Sequence, residues 1–247
     1  MKIEAEFVTS APDVRVLPRD GLPDIALAGR SNVGKSSLIN ALVGQRLART
    51  SAAPGKTRLA NVYRVARGRE RRMYLVDLPG YGYARGGPDA AREFEQLTRA
   101  YFAVHGSDEE TTREDERRGR ERQVAALLVV DARHPGLSSD LDAWAWLEET
   151  VAARAIVATK IDKLARGERI RAHGQLESAF EHEVLPVSAV TREGLDELWK
   201  LIDRLANSRN PRQDNSNSPS RHAPTAPPTR PPRQRRSSAS TSPRSRT

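Results

Sequence analysis

The chain has no cysteine among its 247 residues. That excludes a disulfide framework, a thiolate metal site and a cysteine nucleophile, and it fits a reducing compartment. Long apolar runs are also missing. The longest, Val124–Val130, has seven residues, far short of the roughly 18 needed to cross a bilayer. The opening Met1-Lys2-Ile3-Glu4-Ala5-Glu6 lacks the apolar stretch of a secretory leader. A cytoplasmic protein with no membrane partner, working as a monomer, is expected.

Charge of one sign is scarce in the body of the chain. Residues 1–206 hold 32 basic and 31 acidic side chains, so the net charge of +9 comes from the end of the sequence. Residues 207–247 carry nine Arg, no Lys, one acidic residue (Asp214) and eight Pro. Such a stretch cannot bury a core and is expected to be a disordered tail, either merely solubilising or able to bind nucleic-acid phosphates. The organisation expected is a folded domain over 1–206 and a tail over 207–247. A charged insertion at 107–122 interrupts the domain; it has seven acidic and five basic residues and is expected to be a solvated loop or helix extension.

What is present is an alternation of apolar strands and amphipathic helices. Ile25–Ala28, Asn61–Val65, Met73–Val76, Val124–Val130, Ala155–Ala158 and Val184–Val187 read as strands. A helical pattern follows Ser36, and others cover Pro88–Val104, Asp140–Val151, Arg169–Glu181 and Glu193–Leu205. The pattern predicts an α/β fold with a mostly parallel, six-stranded sheet and helices on both faces.

Gly29-Arg30-Ser31-Asn32-Val33-Gly34-Lys35-Ser36 matches G-x-x-x-x-G-K-S/T between a strand and a helix. In such a loop, glycines let backbone N–H groups turn toward phosphates. Lys35 would reach the β- and γ-phosphates, and the Ser36 hydroxyl would ligate Mg²⁺. Asp77-Leu78-Pro79-Gly80 follows a strand 42 residues after Lys35. Its aspartate can hold Mg²⁺ through water, and the Gly80 N–H can bond a γ-phosphate. Between them, Pro54-Gly55-Lys56-Thr57 offers a threonine as the third Mg²⁺ ligand and phosphate sensor; Thr50 and Ser51 compete for that role.

Thr159-Lys160-Ile161-Asp162 follows the next strand. A carboxylate there can accept both N1–H and N2–H₂ of guanine, which adenine does not offer, while the Lys160 stem covers the base. Ser188-Ala189, after the last strand, can present a backbone N–H to guanine O6, and Val187 beside them is counted among the nucleotide contacts. Lys35, Thr57 and Gly80 are therefore the candidate catalytic positions for GTP hydrolysis. Tyr81 stands where Ras-type enzymes place a water-orienting Gln, so slow intrinsic hydrolysis is expected. A K⁺ ion held partly by Asn32, or a group supplied from outside the domain, could supply what is missing; Asn32 could equally only tie the loop. Ala48–Arg58 and Tyr81–Gly87 are the expected switch segments. Tyr81 and Tyr83 could stack on RNA or pack on the domain. His134 in Asp131-Ala132-Arg133-His134-Pro135 reads as part of a strand-end turn, with partner contact as the alternative.

The ordered set of motifs is that of the translation-factor-related GTPases, which implies a Ras-like P-loop GTPase fold. Within them the chain closely resembles the EngB family (also called YihA or YsxC) of bacterial ribosome-biogenesis GTP-binding proteins. The similarity rests on Ser10-Ala11-Pro12-Asp13, Gly29 through Asn40, Pro54–Thr57, Asp77 through Ala84, Asp131–Pro135 and Thr159 through Leu164, within residues 3–205. The resemblance implies GTP and Mg²⁺ binding, weak hydrolysis, a role in large-subunit assembly with ribosomal RNA or particle partners, and a requirement in cell division and septation. The insertion 107–122 and the arginine-rich tail depart from the family pattern.

Overall fold

The computed structural model describes residues 2–48, 59–68, 71–81, 97–102 and 124–207. The insertion 107–122, the tail from 208 onward, and Gly55, Thr57 and Tyr83 lie outside them.

Seven strands form one sheet: β1 (Ile3–Ala11), β2 (Asp24–Ala28), β3 (Ala60–Arg67), β4 (Arg71–Asp77), β5 (Val124–Asp131), β6 (Ala153–Thr159) and β7 (Val184–Pro186). Their order is β1-β3-β4-β2-β5-β6-β7. Pairing is antiparallel for β1 with β3 and β3 with β4, and parallel from β4 through β7. The sheet has one strand more than the six expected. The added one, β1, is an edge strand bonded only to β3 within the sheet, with Phe7 and Val8 exposed. Its faint alternation, Ile3 and Ala5 inward against Glu4 and Glu6 outward, is broken by a bulge between Phe7 and Thr9. A strand with so little to bury leaves a weak apolar signal.

The central strands are apolar throughout because helices cover both faces of the sheet. All five residues of β2 are buried. Ala26, Leu128, Val130 and Val76 face a layer made by Trp144 and Leu147 of α2 (Ser138–Thr150), by Leu176 and Phe180 of α3 (Arg166–Phe180), and by Tyr101 and Phe102 of the helical segment 97–102. Ile25, Leu27, Leu127 and Val129 face the other layer, formed by Leu38, Ile39 and Leu42 of α1 (Lys35–Val43) and Leu198, Trp199 and Ile202 of α4 (Leu195–Asn207). Each fully buried aliphatic contributes roughly 1.5–3 kcal/mol relative to exposure, so these two layers fix where the strand ends lie.

The chain leaves α1 through Gly44, whose left-handed φ of 71° allows its N–H to bond Asn40 O at 3.0 Å. The Asn40 side chain then holds the following turn. Its Oδ1 accepts from Leu47 N (2.8 Å) and Ala48 N (2.7 Å), and its Nδ2 donates to Ala48 O (2.8 Å). Asn40 thereby fixes the turn that runs from Gly44 to Ala48. Asn40→Ala removes three hydrogen bonds worth about 1 kcal/mol net each and should lower unfolding free energy in urea by about 3 kcal/mol. A loss under about 0.5 kcal/mol, the range of an ordinary surface change, would contradict this role.

Candidate functional site

The loop between β2 and α1 curls through three backbone positions of positive φ: Gly29 (152°), Asn32 (65°) and Gly34 (111°). At Gly29 glycine is compelled by space as well, since a Cβ would run into the Val129 carbonyl of β5. The first N–H groups of α1, at the end of this curl, have no acceptor within the helix. Lys35 is buried, and its Nζ donates to Gly29 O (2.9 Å) and Arg30 O (3.2 Å), folding the ammonium across the loop. Burial pushes the Lys35 pKa down, partly opposed by Asp77. Burial likewise pushes Asp77 up, opposed by Lys35 and by a hydrogen bond from Ser36.

Ser36 Oγ donates to Asp77 Oδ2 at 2.5 Å. A hydroxyl and a buried carboxylate in contact at the head of a phosphate-type loop are a donor set that suits Mg²⁺, which takes few protein oxygens and completes its shell with water and phosphate. The two described members of the expected metal trio thus meet. Thr57, like Gly55, lies outside the described residues.

The D-x-x-G segment is strapped to the phosphate loop. Leu78 N donates to Leu27 O (3.2 Å), Ser31 N to Tyr81 O (3.0 Å) and Ser31 Oγ to Gly80 O (3.1 Å). A Cβ on Gly80 would lie 2.5 Å from Ser31 N and 2.6 Å from its Cα, so only glycine permits this approach. Pro79 carries the chain from Leu78 to Gly80. Tyr81 packs against the core, and its hydroxyl donates to Asp140 Oδ1 (2.9 Å), a buried carboxylate in the first turn of α2. Burial, then the Asp140 charge, drives the phenol pKa upward. Of the two readings of Tyr81, packing is the one the geometry shows.

At the neighbouring strand ends a second cluster meets the same loop. Thr159 Oγ1 lies 2.5 Å from Val33 O and 3.0 Å from Val130 O. Lys160 has a left-handed backbone (φ 63°), and its Nζ donates to Asn32 O (2.5 Å) and to Asp131 Oδ2 (2.9 Å). Asp162 Oδ1 accepts from Ser188 Oγ (2.7 Å), a bond that lowers the Asp162 pKa. Ser188 is fully buried, and its Oγ also accepts from Val190 N and Thr191 N. Val187 leads into the Ser188-Ala189 run from the end of the sheet. Its N–H is taken by Ala158 O (2.8 Å) and its side chain is buried in the core, so it anchors the loop that carries Ser188 and Ala189.

Asp131 was not among the site residues expected from sequence. It ends β5 directly opposite Thr159 and accepts hydrogen bonds from Arg133 and Lys160. Its position at the carboxyl end of a parallel strand, where ligands gather in open α/β sheets, was the available signal. His134 sits in the turn that closes this strand, its N–H bonded to Asp131 O (3.0 Å), in agreement with the turn reading.

Known proteins share this arrangement. A family model described as 50S ribosome-binding GTPase matches residues 24–160. The probable GTP-binding protein EngB of Pelobacter propionicus is 39% identical over 207 residues, covering 82% of this chain and 94% of that one. Its counterpart in Solibacter usitatus is 39% identical over 208 residues, covering 84% and 98%. Among solved structures, a probable GTP-binding protein EngB superposes with a TM-score of 0.52 at 24% identity, over 75% of this chain and all of that one. Aquifex aeolicus Era bound to GDP·AlF4⁻ gives 0.59 at 20% identity, over 77% of this chain and 58% of that one. These two share the Ras-like P-loop GTPase fold. Similarity that runs through nearly the whole length of curated relatives carries more than fold: the chain belongs to the EngB family of GTP-binding proteins.

Proposed function

We propose that the protein is a GTP-driven switch with slow intrinsic hydrolysis that acts in assembly of the large ribosomal subunit, in the cytoplasm, and is needed for normal division and septation. The observation that carries the slow-hydrolysis reading is Tyr81. Its phenol is committed to Asp140 and its carbonyl accepts from Ser31, so the residue after D-x-x-G has no amide to orient an attacking water. The ribosomal reading is supported by the description of the matching family as 50S ribosome-binding GTPases.

In this reading the backbone N–H groups of Gly29 through Ser36 cradle the phosphates. Lys35 leaves its carbonyl acceptors for the β- and γ-phosphates, and Gly80 N–H meets the γ-phosphate. Ser36, Asp77 through water, and Thr57 would hold Mg²⁺, which when bound neutralises charge on the β- and γ-phosphate oxygens. Asp162 accepts N1–H and N2–H₂ of guanine, Lys160 covers the base and Ala189 N–H meets O6. Water displaces GDP from the γ-phosphorus of GTP, giving GDP and phosphate. Tyr81–Gly87 and Ala48–Arg58, which flank the γ-phosphate contacts, are the switch segments in this reading.

The experiment that tests the switch is co-sedimentation of the full chain with 50S subunits. Binding should be at least about tenfold tighter with a non-hydrolysable GTP analogue than with GDP, a coupling of ordinary size. Equal pelleting with both would contradict it. A second reading, in which the arginine-rich tail tethers the protein to RNA, follows from the nine Arg in residues 207–247. Deleting 207–247 would then abolish pelleting while GTP turnover persists; nucleotide-dependent pelleting that survives the deletion would reject the tether.

The missing catalytic charge could come from K⁺ near Asn32, whose left-handed backbone sets it at the loop's turn. Turnover should then be about tenfold or more faster in K⁺ than in Na⁺, given that an arginine finger in the same role contributes about 10³-fold or more. Equal rates in the two salts would reject a K⁺ requirement and leave a ribosomal group as the activator.

A further inference from the structure

We infer that Asp131 is a positioning residue of the guanine site, holding the Lys160 ammonium against the phosphate loop so that the lysine stem forms a fixed wall for the base. This rests on guanine-nucleotide binding at Thr159–Asp162 and names a residue outside the nucleotide-binding motifs as a determinant of how long the nucleotide stays bound.

The Asp131 side chain is 6% exposed, and charged donors surround it. Its Oδ1 accepts from Arg133 N (3.1 Å) and Nε (3.0 Å), and its Oδ2 from Arg133 Nη2 (2.8 Å) and Lys160 Nζ (2.9 Å). Burial alone would raise its pKa, but the bonds from Arg133, then from Lys160, prevail and hold it down at about 2. The carboxylate is therefore charged across the pH range in which the protein works. Were Asp131 only a turn cap, the local pair with Arg133 two residues on would satisfy it. Oδ2 is instead shared with Lys160, 29 residues away on the next strand end.

Lys160 needs such a tether. Its backbone is left-handed, a conformation that disfavours side chains with a Cβ, and a lysine stem left free would sample many rotamers. Two fixed acceptors, Asn32 O on the phosphate loop and Asp131 Oδ2 on β5, pin the ammonium from two directions. The stem between them is set before any base arrives, and pre-setting a contact surface strengthens binding mainly through slower release. Arg133, 40% exposed, braces the carboxylate from the solvent side.

The test is stopped-flow release of fluorescently labelled GDP from the full chain. Asp131→Asn keeps the shape and removes the charge; it should speed release about tenfold, the loss of one charge-assisted hydrogen bond, with association rate and site number unchanged. In a Lys160→Met background the same change should alter release by less than about twofold, because the interaction it would break is already gone. Arg133→Ala should give a smaller acceleration than Asp131→Asn. Parental release by Asp131→Asn, or equal acceleration with and without Lys160, would overturn the positioning role. A parent protein that bound no labelled GDP would instead overturn the guanine reading beneath it.

Discussion

The curl of Gly29–Ser36 is the constraint on which the rest of the site depends. The loop takes positive φ at Gly29, Asn32 and Gly34, and for Asn32 that conformation costs on the order of 1 kcal/mol. The surroundings supply what holds it. Lys35 bonds back to Gly29 and Arg30, Ser31 bonds to Gly80 and Tyr81, and Thr159 and Lys160 reach the carbonyls of Val33 and Asn32. The loop's outward carbonyls are thus the points at which the sheet's other strand ends attach. One consequence is that Asp77–Tyr81 and Thr159–Asp162 are mechanically joined through the loop's own backbone.

The electrostatics have the same centre. Lys35 and Asp77 are both buried, and burial pushes each toward its neutral form. Burying two such groups stabilises a fold little, because desolvation offsets much of their attraction. Their placement is better understood as preparation for a phosphate and a cation, whose charges would complete theirs; polar groups oriented in advance do not have to reorganise when the ligand arrives. Tyr81 belongs to a different layer of the design. By packing on the core and bonding Asp140 of α2, it connects Gly80 to a helix away from the loop.

Much of this was legible in the sequence where the physics is local. Gly29 through Ser36, Asp77–Gly80 and Thr159–Asp162 are contiguous runs whose spacing encodes their chemistry, and the structure brings their described members to neighbouring strand ends. Strand β1 was not legible, because an edge strand with Glu4 and Glu6 outward and a bulge at Phe7 lacks an apolar stripe. Nor were Asn40, Asp131 and the Ser188–Asp162 bond. Their partners lie on other elements or are backbone atoms, which sequence spacing does not disclose. Spacing likewise does not disclose which way the Val187 N–H turns, and Ala158 O takes it.

The most direct measurement is calorimetric titration of the full chain with GDP and, separately, ADP in the presence of Mg²⁺. A single site for GDP is expected, with ADP at least about 100-fold weaker, because adenine would leave the Asp162 carboxylate without donors. Equal affinity for the two nucleotides, or no binding of either, would contradict a guanine-nucleotide site built on this loop.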